Sequence, residues 1–388
     1  MDNLVSNTRE KQIEKLKQDK KRLQTMNEEK WNKKYKLAKA YYEHYENLEV
    51  KAKFKTINGY EYDENGINLG DWIYTQRRAY KEQGNSKITE ETSNLKLEFG
   101  TGNILEKNII ENANNKIKID ADNKSEIQIS YKFDDNNLNL INNIEIMAQG
   151  QTKILIKYES DTNKKCFHNG AIRLNAKPNS KVDICIINMM NNSSNNFESI
   201  ENKIEEKSEV KYTVIDIGAQ NSVSNYYSNI IGKEAKNDLK TIYLGIQEQK
   251  KDINYIAHLK GEKSEIDIDV QGALNDKAKK NFKGTIDFKK GCKKAKGNEN
   301  EFCMLLSEKA KSLALPMLLC TEDDVEGNHS TASGKVDKEQ LFYIMTRGLS
   351  YKEAVKLIVR ANFNKTIERI LDEEVKQNII KEIDERLD

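Results

Sequence analysis

The side chains able to ligate a soft metal are few and scattered. Four histidines (His44, His168, His258, His329) and five cysteines (Cys166, Cys185, Cys292, Cys303, Cys320) make up the whole supply. None stands in a CxxC or HxxxH spacing, so no closed zinc site is written in the sequence. Cys166 and His168 form a short C-x-H pair with no further ligand close by. Glu322, Asp323 and Asp324 read either as a metal-attracting acidic cluster or as a turn of solvated carboxylates. Cys303 reads as a thiolate ligand or as a small core residue, and Cys320, in the apolar run PMLLC, as core. His329, in a polar loop after the acidic run, either offers a neutral imidazole to a metal or satisfies a loop carbonyl. No GxxxxGK[ST] loop is present, so the chain carries no P-loop of its own for ATP chemistry.

The elements that must hold these groups are foreshadowed by composition. The 388 residues carry 64 Lys+Arg against 62 Asp+Glu. A near-neutral surface argues against a protein that binds nucleic acid or membrane over its whole area. The length allows two to three domains, and 37% apolar with 7% aromatic residues is a lean supply that points to a thin or elongated core. Odd, scattered cysteines fit a reducing, cytoplasmic compartment. No apolar run approaches eighteen residues and charge begins at Asp2, so neither a transmembrane nor a secretory segment is expected.

Three zones follow. Residues 1–94 have helical periodicity and are basic at first, with fifteen Lys+Arg against nine Asp+Glu in the first 56. Residues 95–336 are dominated by strand-like alternation, as in Ile127/Ile129/Tyr131/Phe133, Ile154/Ile156/Tyr158, Val182/Ile184/Ile186, Ile242/Leu244/Ile246 and Ile266/Ile268/Val270. Each such run predicts a half-buried strand with one face inward. About a dozen of them with almost no helix between leave a sandwich, a barrel or a solenoid. Isoleucine at the inward positions, and asparagines grouped between strands at 136–137, 142–143 and 191–196, favour a β-helix whose coils cover one another. Residues 337–388 return to helical spacing. Asp337 with Gln340 and Ser350 with Glu353 read as helix N-caps, Gly348 as a stop, and Ala354, Leu357, Ile358 and Ala361 as an apolar stripe.

In the first zone, Trp31, Tyr41, Tyr42, Asn47, Leu48, Val50, Leu69, Gly70, Trp72, Ile73, Gln76, Arg77 and Tyr80 fall in a pattern that resembles the helicase-associated domain over about residues 28–92. A nucleic-acid role has been proposed for that family. Arg77, Arg78 and the basic first helix would suit phosphate contacts, or they form an ordinary solvated face.

The stretch from Asn300 to Phe363 contains Met304-Leu305-Leu306-Ser307, Pro316 before an apolar strand, the acidic Glu322 to Val325, His329 four residues on, and D-x-EQLFY-x-M-x-RGL from Asp337. It resembles the C-terminal part of the SufB/SufD family, scaffold subunits of the SUF iron-sulfur cluster assembly machine, and the resemblance extends over about residues 95–388. It implies a right-handed parallel β-helix flanked by helical segments. His329 is followed by Ser330 rather than Glu, which places the chain with the SufD-type members. The resemblance further implies a non-catalytic scaffold that pairs with a SufB-like subunit through β-helix ends. His329 and Cys303 would then be ligands to a transient cluster at that interface. It also implies that an ATPase of the SufC type docks on the C-terminal helices through Phe342, Tyr343 and Arg347. Two readings of other classes stand beside it: a β-helical polysaccharide enzyme, which needs paired carboxylates on one solvent face of adjacent coils, and a nucleic-acid-binding protein acting through the N-terminal zone.

Overall fold

The computed structural model describes residues 95–388 apart from 123, and ahead of them only residues 56–57, 60–61, 80–83, 86–89 and 92. The helicase-associated-like motif, the helical N-terminal domain expected over 1–94 and the two candidate phosphate-binding arginines lie outside the described residues.

Short strands alternate between two sheets of nine, so the chain winds as a parallel β-solenoid. One sheet stacks Ser125–Phe133, Gln151–Ser160, Lys181–Met189, Glu209–Asp216, Lys236–Gly245, Glu265–Leu274, Ala295–Leu305 and Val325–Lys335. The other stacks Asn115–Ala121, Asn139–Ala148, Phe167–Ala176, Asn195–Ile204, Asn221–Ile230, Lys250–Leu259, Lys279–Phe288 and Lys311–Cys320. Register partners in the parallel ladders lie 26 to 32 residues apart, as in Asn195 with Asn221 and Lys279 with Lys311. The first strand of each sheet is met by a short antiparallel strand, Tyr80–Gln83 or Ser86–Thr89. The β-sheet structure therefore begins before residue 95, because those first strands need a partner for their outer edge.

Turns between strands place non-glycine residues in the left-handed region, among them Asn179, Lys207, Glu234, Lys263 and Lys294. Such a backbone costs about 1–2 kcal/mol for an L-residue. Here the amide of each of these residues donates to a carbonyl of the next coil: Asn179 to Glu206, Lys207 to Lys233, Glu234 to Glu262, Lys263 to Lys293, Lys294 to Asp324. The interaction between coils offsets the local strain, so glycine is not required.

The lumen is filled by alternate residues of both sheets. Isoleucines dominate its first coils, and fully buried Tyr158, Tyr212, Tyr226, Tyr243 and Tyr255 occupy the middle. Each tyrosine hydroxyl finds a partner, for example Tyr212 donating to Asn202 at 2.7 Å and Tyr243 to Glu301 at 3.0 Å. Two lysines also lie wholly inside. Lys251 pairs with Asp216 at 2.9 Å and Lys280 with Glu301 at 2.8 Å, each reaching across the lumen to the other sheet. Gly272 gives Tyr243 its room, since a Cβ there would come within 1.8 Å of the ring.

Several expectations are corrected. Asn142 and Asn143 are buried within a strand rather than in a turn. Asn195 and Asn196 open the strand Asn195–Ile204. Ile242, Leu244 and Ile246 face outward, while Leu239, Thr241 and Tyr243 of the same strand face the lumen. The outward row is covered by three helices, α1 (Lys338–Thr346), α2 (Tyr351–Ile367) and α3 (Glu373–Arg386). Ser350 and Glu353 form the reciprocal capping box, and Gly348 turns at φ +95°. The buried stripe of α2 is Val355, Ile358, Val359, Phe363 and Ile367, with Leu357 and Ala361 exposed. That stripe meets Ile215, Ile242 and Leu244, and contact with the sheet, not the nearest apolar spacing, sets which face turns in.

Two stability measurements check the lumen. Glu301→Leu, which leaves the Lys280 ammonium unpaired, should cost about 3–5 kcal/mol in urea unfolding, and the Lys280→Met/Glu301→Leu pair should cost less than that single change. Gly272→Ala should cost about 1–3 kcal/mol by displacing Tyr243.

Candidate functional site

The two ends of the solenoid differ. At the far end, Val325–Lys335 and Lys311–Cys320 each have a neighbour on one side only among the described residues, which leaves a row of their backbone amides and carbonyls without a ladder partner there. Pro316 lies inside the second of these strands, in register with Gly284, not ahead of it as the spacing had implied. A proline lacks the N–H a central strand would need, and an edge position tolerates it. On the same strand Leu313, Leu315, Met317 and Leu319 share the face away from the lumen and are 46–51% exposed. Four large apolar side chains in a row on an uncovered edge are unusual for a surface on its own.

His329 sits on the other terminal strand, not in a loop. It is exposed, and it lies in register with Glu299 of the strand beneath. Its neighbour Ser330 points to the outer face, donating to Asn300 at 2.6 Å, so the imidazole is on the lumen side of the open end. Glu299 is fully buried with neither carboxylate oxygen hydrogen-bonded, and burial, reinforced by Glu301, pushes it up to about 7. The alternation Asn298-Glu299-Asn300-Glu301 has the period of a strand with two acids on one face, a signal that could have pointed to Glu299. What it could not show is that this face is the lumen.

Cys303 is on that same buried face and in register with Ser333. Burial raises its thiol, and Tyr243 and Lys280 only partly oppose this. Its register row is four residues from that of His329, roughly 13 Å along the strands, so the structure does not bring the two together. Cys320, expected in the core, is exposed because no described residue stacks on the last coil, and its Sγ donates to the Glu322 carbonyl at 2.8 Å. Glu322 is not a solvated carboxylate. It is buried, accepts from the Gly291 amide at 2.9 Å and from that of Asp323 at 3.2 Å, and the Gly291 amide holds it below the usual carboxylate range. The Cys166–His168 pair is sealed in the lumen far from this end, with burial pulling the imidazole down to about 4.

A second exposed surface lies on the helices. Phe342 is 69% and Tyr343 59% exposed on α1, and Arg347 packs on the Tyr343 ring and donates to its hydroxyl at 2.7 Å. Tyr351 and Leu357 of α2 are also exposed, a cluster of aromatic, apolar and arginine side chains of the kind that anchors interfaces. Among the described residues no three His, Cys, Asp or Glu side chains are grouped to hold a metal ion, and no helix is long and apolar enough to cross a membrane.

Comparison with known proteins follows this geometry. The SUF system FeS cluster assembly SufBD core domain matches residues 132–362, and the Helicase associated domain matches residues 28–98. Among curated proteins, the chain is 33% identical over 116 residues to the iron-sulfur cluster assembly protein SufD of Bacillus subtilis, covering 30% of this chain and 26% of that protein. It is 30% identical over 114 residues to SufD of Escherichia coli, covering 29% of this chain and 27% of that protein. A SufBD family protein of Pyrococcus horikoshii is 44% identical over 68 residues, covering 18% of this chain and 15% of that protein. These matches span about a quarter or less of the relatives' length. With a parallel solenoid, a terminal strand carrying His329 and a core-domain match over more than half its residues, the chain belongs to the SufBD family of SUF-system iron-sulfur cluster assembly proteins and is of the SufD type.

Proposed function

We propose that the chain is a SufD-like scaffold in iron-sulfur cluster assembly, with no catalytic machinery of its own, that pairs with a SufB-like subunit through the open end of the solenoid. One observation carries this reading: the unpaired terminal edges, the apolar row Leu313, Leu315, Met317 and Leu319, and the exposed His329 occur on the same end. A partner solenoid adding its own edge strands would satisfy the free backbone groups and cover the apolar row. The cluster is cargo at that junction. His329 supplies an imidazole that can bind and release it, and Cys303 would take part only if the last coil opened. The helical surface of Phe342, Tyr343 and Arg347 docks a SufC-like ATPase, whose cycle would strain the paired scaffold. The compartment implied is the cytoplasm.

The polysaccharide-enzyme alternative needs unpaired acids on one face. In the groove of about 570 Å³ along the solenoid corner, the carboxylates of Glu209, Glu265 and Glu326 are instead each matched by a lysine of the preceding coil, Lys181, Lys236 and Lys296. Acidic sugar chemistry has no free pair there. A nucleic-acid role would rest on residues outside those described, and a salt-dependent gel shift by the full chain would support it.

Co-expression with SufB-like and SufC-like partners is the direct test. Leu315→Glu combined with Met317→Lys should reduce SufB-like pairing by at least about 2 kcal/mol, roughly thirtyfold, while leaving ATPase binding intact. Phe342→Ala with Arg347→Ala should do the reverse. His329→Ala should lower cluster maturation without shifting the melting temperature, because the side chain is exposed; unchanged maturation would remove it from the site.

A further inference from the structure

Five coils from the open end, the lumen contains a layer in which acceptors outnumber donors. His168 is wholly buried and lies against Tyr158, ring centroids 4.1 Å apart. Its Nδ1 is 2.6 Å from Asn196 Oδ1 and its Nε2 is 3.1 Å from Asn142 Oδ1. A neutral imidazole carries one N–H, so it satisfies one of these oxygens and presents a lone pair to the other. The amide nitrogens are already engaged, Asn142 Nδ2 with the Tyr158 hydroxyl at 3.2 Å and Asn196 Nδ2 with Ser222 Oγ at 3.4 Å. Glu198 adds a buried carboxyl in register with Gly170, and neither of its oxygens is in a hydrogen bond of ordinary geometry. Only the Tyr158 hydroxyl supports its charged form. Turning the Asn142 amide over would pair its nitrogen with the ring, but its oxygen would then claim the Tyr158 proton and leave Glu198 with nothing.

Gly170 brings these groups together. A Cβ at that position would lie 2.3 Å from Asn142 Oδ1, 2.6 Å from Glu198 Oε1 and 2.7 Å from His168 Nε2. A carboxylate oxygen, an amide oxygen and an imidazole nitrogen therefore crowd the small space above one glycine, with at most one hydroxyl proton among them. A buried polar group left unpaired costs about 1–3 kcal/mol, and more when charged, so the layer calls for a positive charge. A mixed set of one imidazole and two oxygens suits a borderline divalent ion such as Zn²⁺, with the harder Mn²⁺ as the alternative that the two oxygens would favour, better than a soft one. The Nδ1–H of His168, donated to Asn196, then fixes the tautomer that leaves Nε2 free to ligate, the usual support behind a metal-bound histidine. Sequence spacing concealed the set, since successive members are 26 and 30 residues apart and one of the three is an amide.

We propose that the lumen holds one structural divalent transition-metal ion between His168 Nε2, Glu198 and Asn142 Oδ1, acquired as the coils close during folding and distinct from the cargo site at His329. The enclosure excludes exchange with the open end, so the ion serves stability and not transfer.

The full chain, unfolded in denaturant with chelator and refolded with no metal, with Zn²⁺ or with Mn²⁺, tests this by elemental analysis after dialysis and by melting temperature. About one ion per chain should be retained, with a raised melting temperature only in the metal-refolded samples. Glu198→Gln should fold and retain at least tenfold less ion, and Asn142→Ala gives the same comparison if Glu198→Gln does not fold. His329→Ala should retain the ion fully. Wild type that holds none of either metal, Glu198 and Asn142 variants that hold as much as wild type, or loss of the ion in His329→Ala would each overturn the proposal. The first result would mean that Glu198 is held neutral by a proton, and the last that the ion sits at the open end.

Discussion

Among the described residues, each inner strand of the solenoid is completed by the strands one coil below and one coil above, and this backbone ladder along the solenoid axis is the constraint from which the rest follows. The turns obey it too: residues with left-handed backbones are held because their amides donate to the neighbouring coil. A ladder of this kind cannot close on itself and must end twice. Short antiparallel strands meet its first rungs. Its last rungs, with Pro316, the outward leucines and His329, meet nothing within the described residues. That asymmetry leaves one end open among the described residues, and the proposed pairing is built on it.

The thin lumen explains how a lean apolar composition suffices. One layer of side chains from each sheet excludes water because each coil roofs the next. The two lysines carried inside each meet a carboxylate that reaches across, Glu301 to Lys280 and Asp216 to Lys251. Such pairs contribute little net stability. Their geometric demand does tie particular coils of one sheet to particular coils of the other. Where the matching is incomplete, at Glu198 and at Glu299, the lumen departs from a purely structural core.

Much of the fold was legible because a strand with isoleucine on alternate positions announces its period locally. The strands Asn195–Ile204 and Asn221–Ile230 did not announce themselves. Their lumen rows read Asn196, Glu198, Ile200, Asn202 and Ser222, Ser224, Tyr226, Ser228, so the inward face is as polar as the outward one. Ile242, Leu244 and Ile246 misled in the opposite sense, since helices cover the outside of that strand and both faces are apolar. At the candidate site, the motif around His329 and the anchors Phe342, Tyr343 and Arg347 could be named in advance. Glu299 and the apolar edge could not, because an acid on a strand period and an apolar strand do not by themselves tell which face is the lumen or which coil is the last.

The sequence by itself determined the strand period, the helix caps at Asp337 and Ser350, and the ordered motif that marks the family. These depend on residues a few positions apart, and local sterics and hydrogen bonding are enough to specify them. Only the tertiary structure decided that Cys303 is sealed while Cys320 and His329 are open, and that His168, Glu198 and Asn142 converge. All of these groups lie on strands of similar local character. What separates them is how many coils are stacked above, and that is a property of the whole ladder which no short stretch of chain contains.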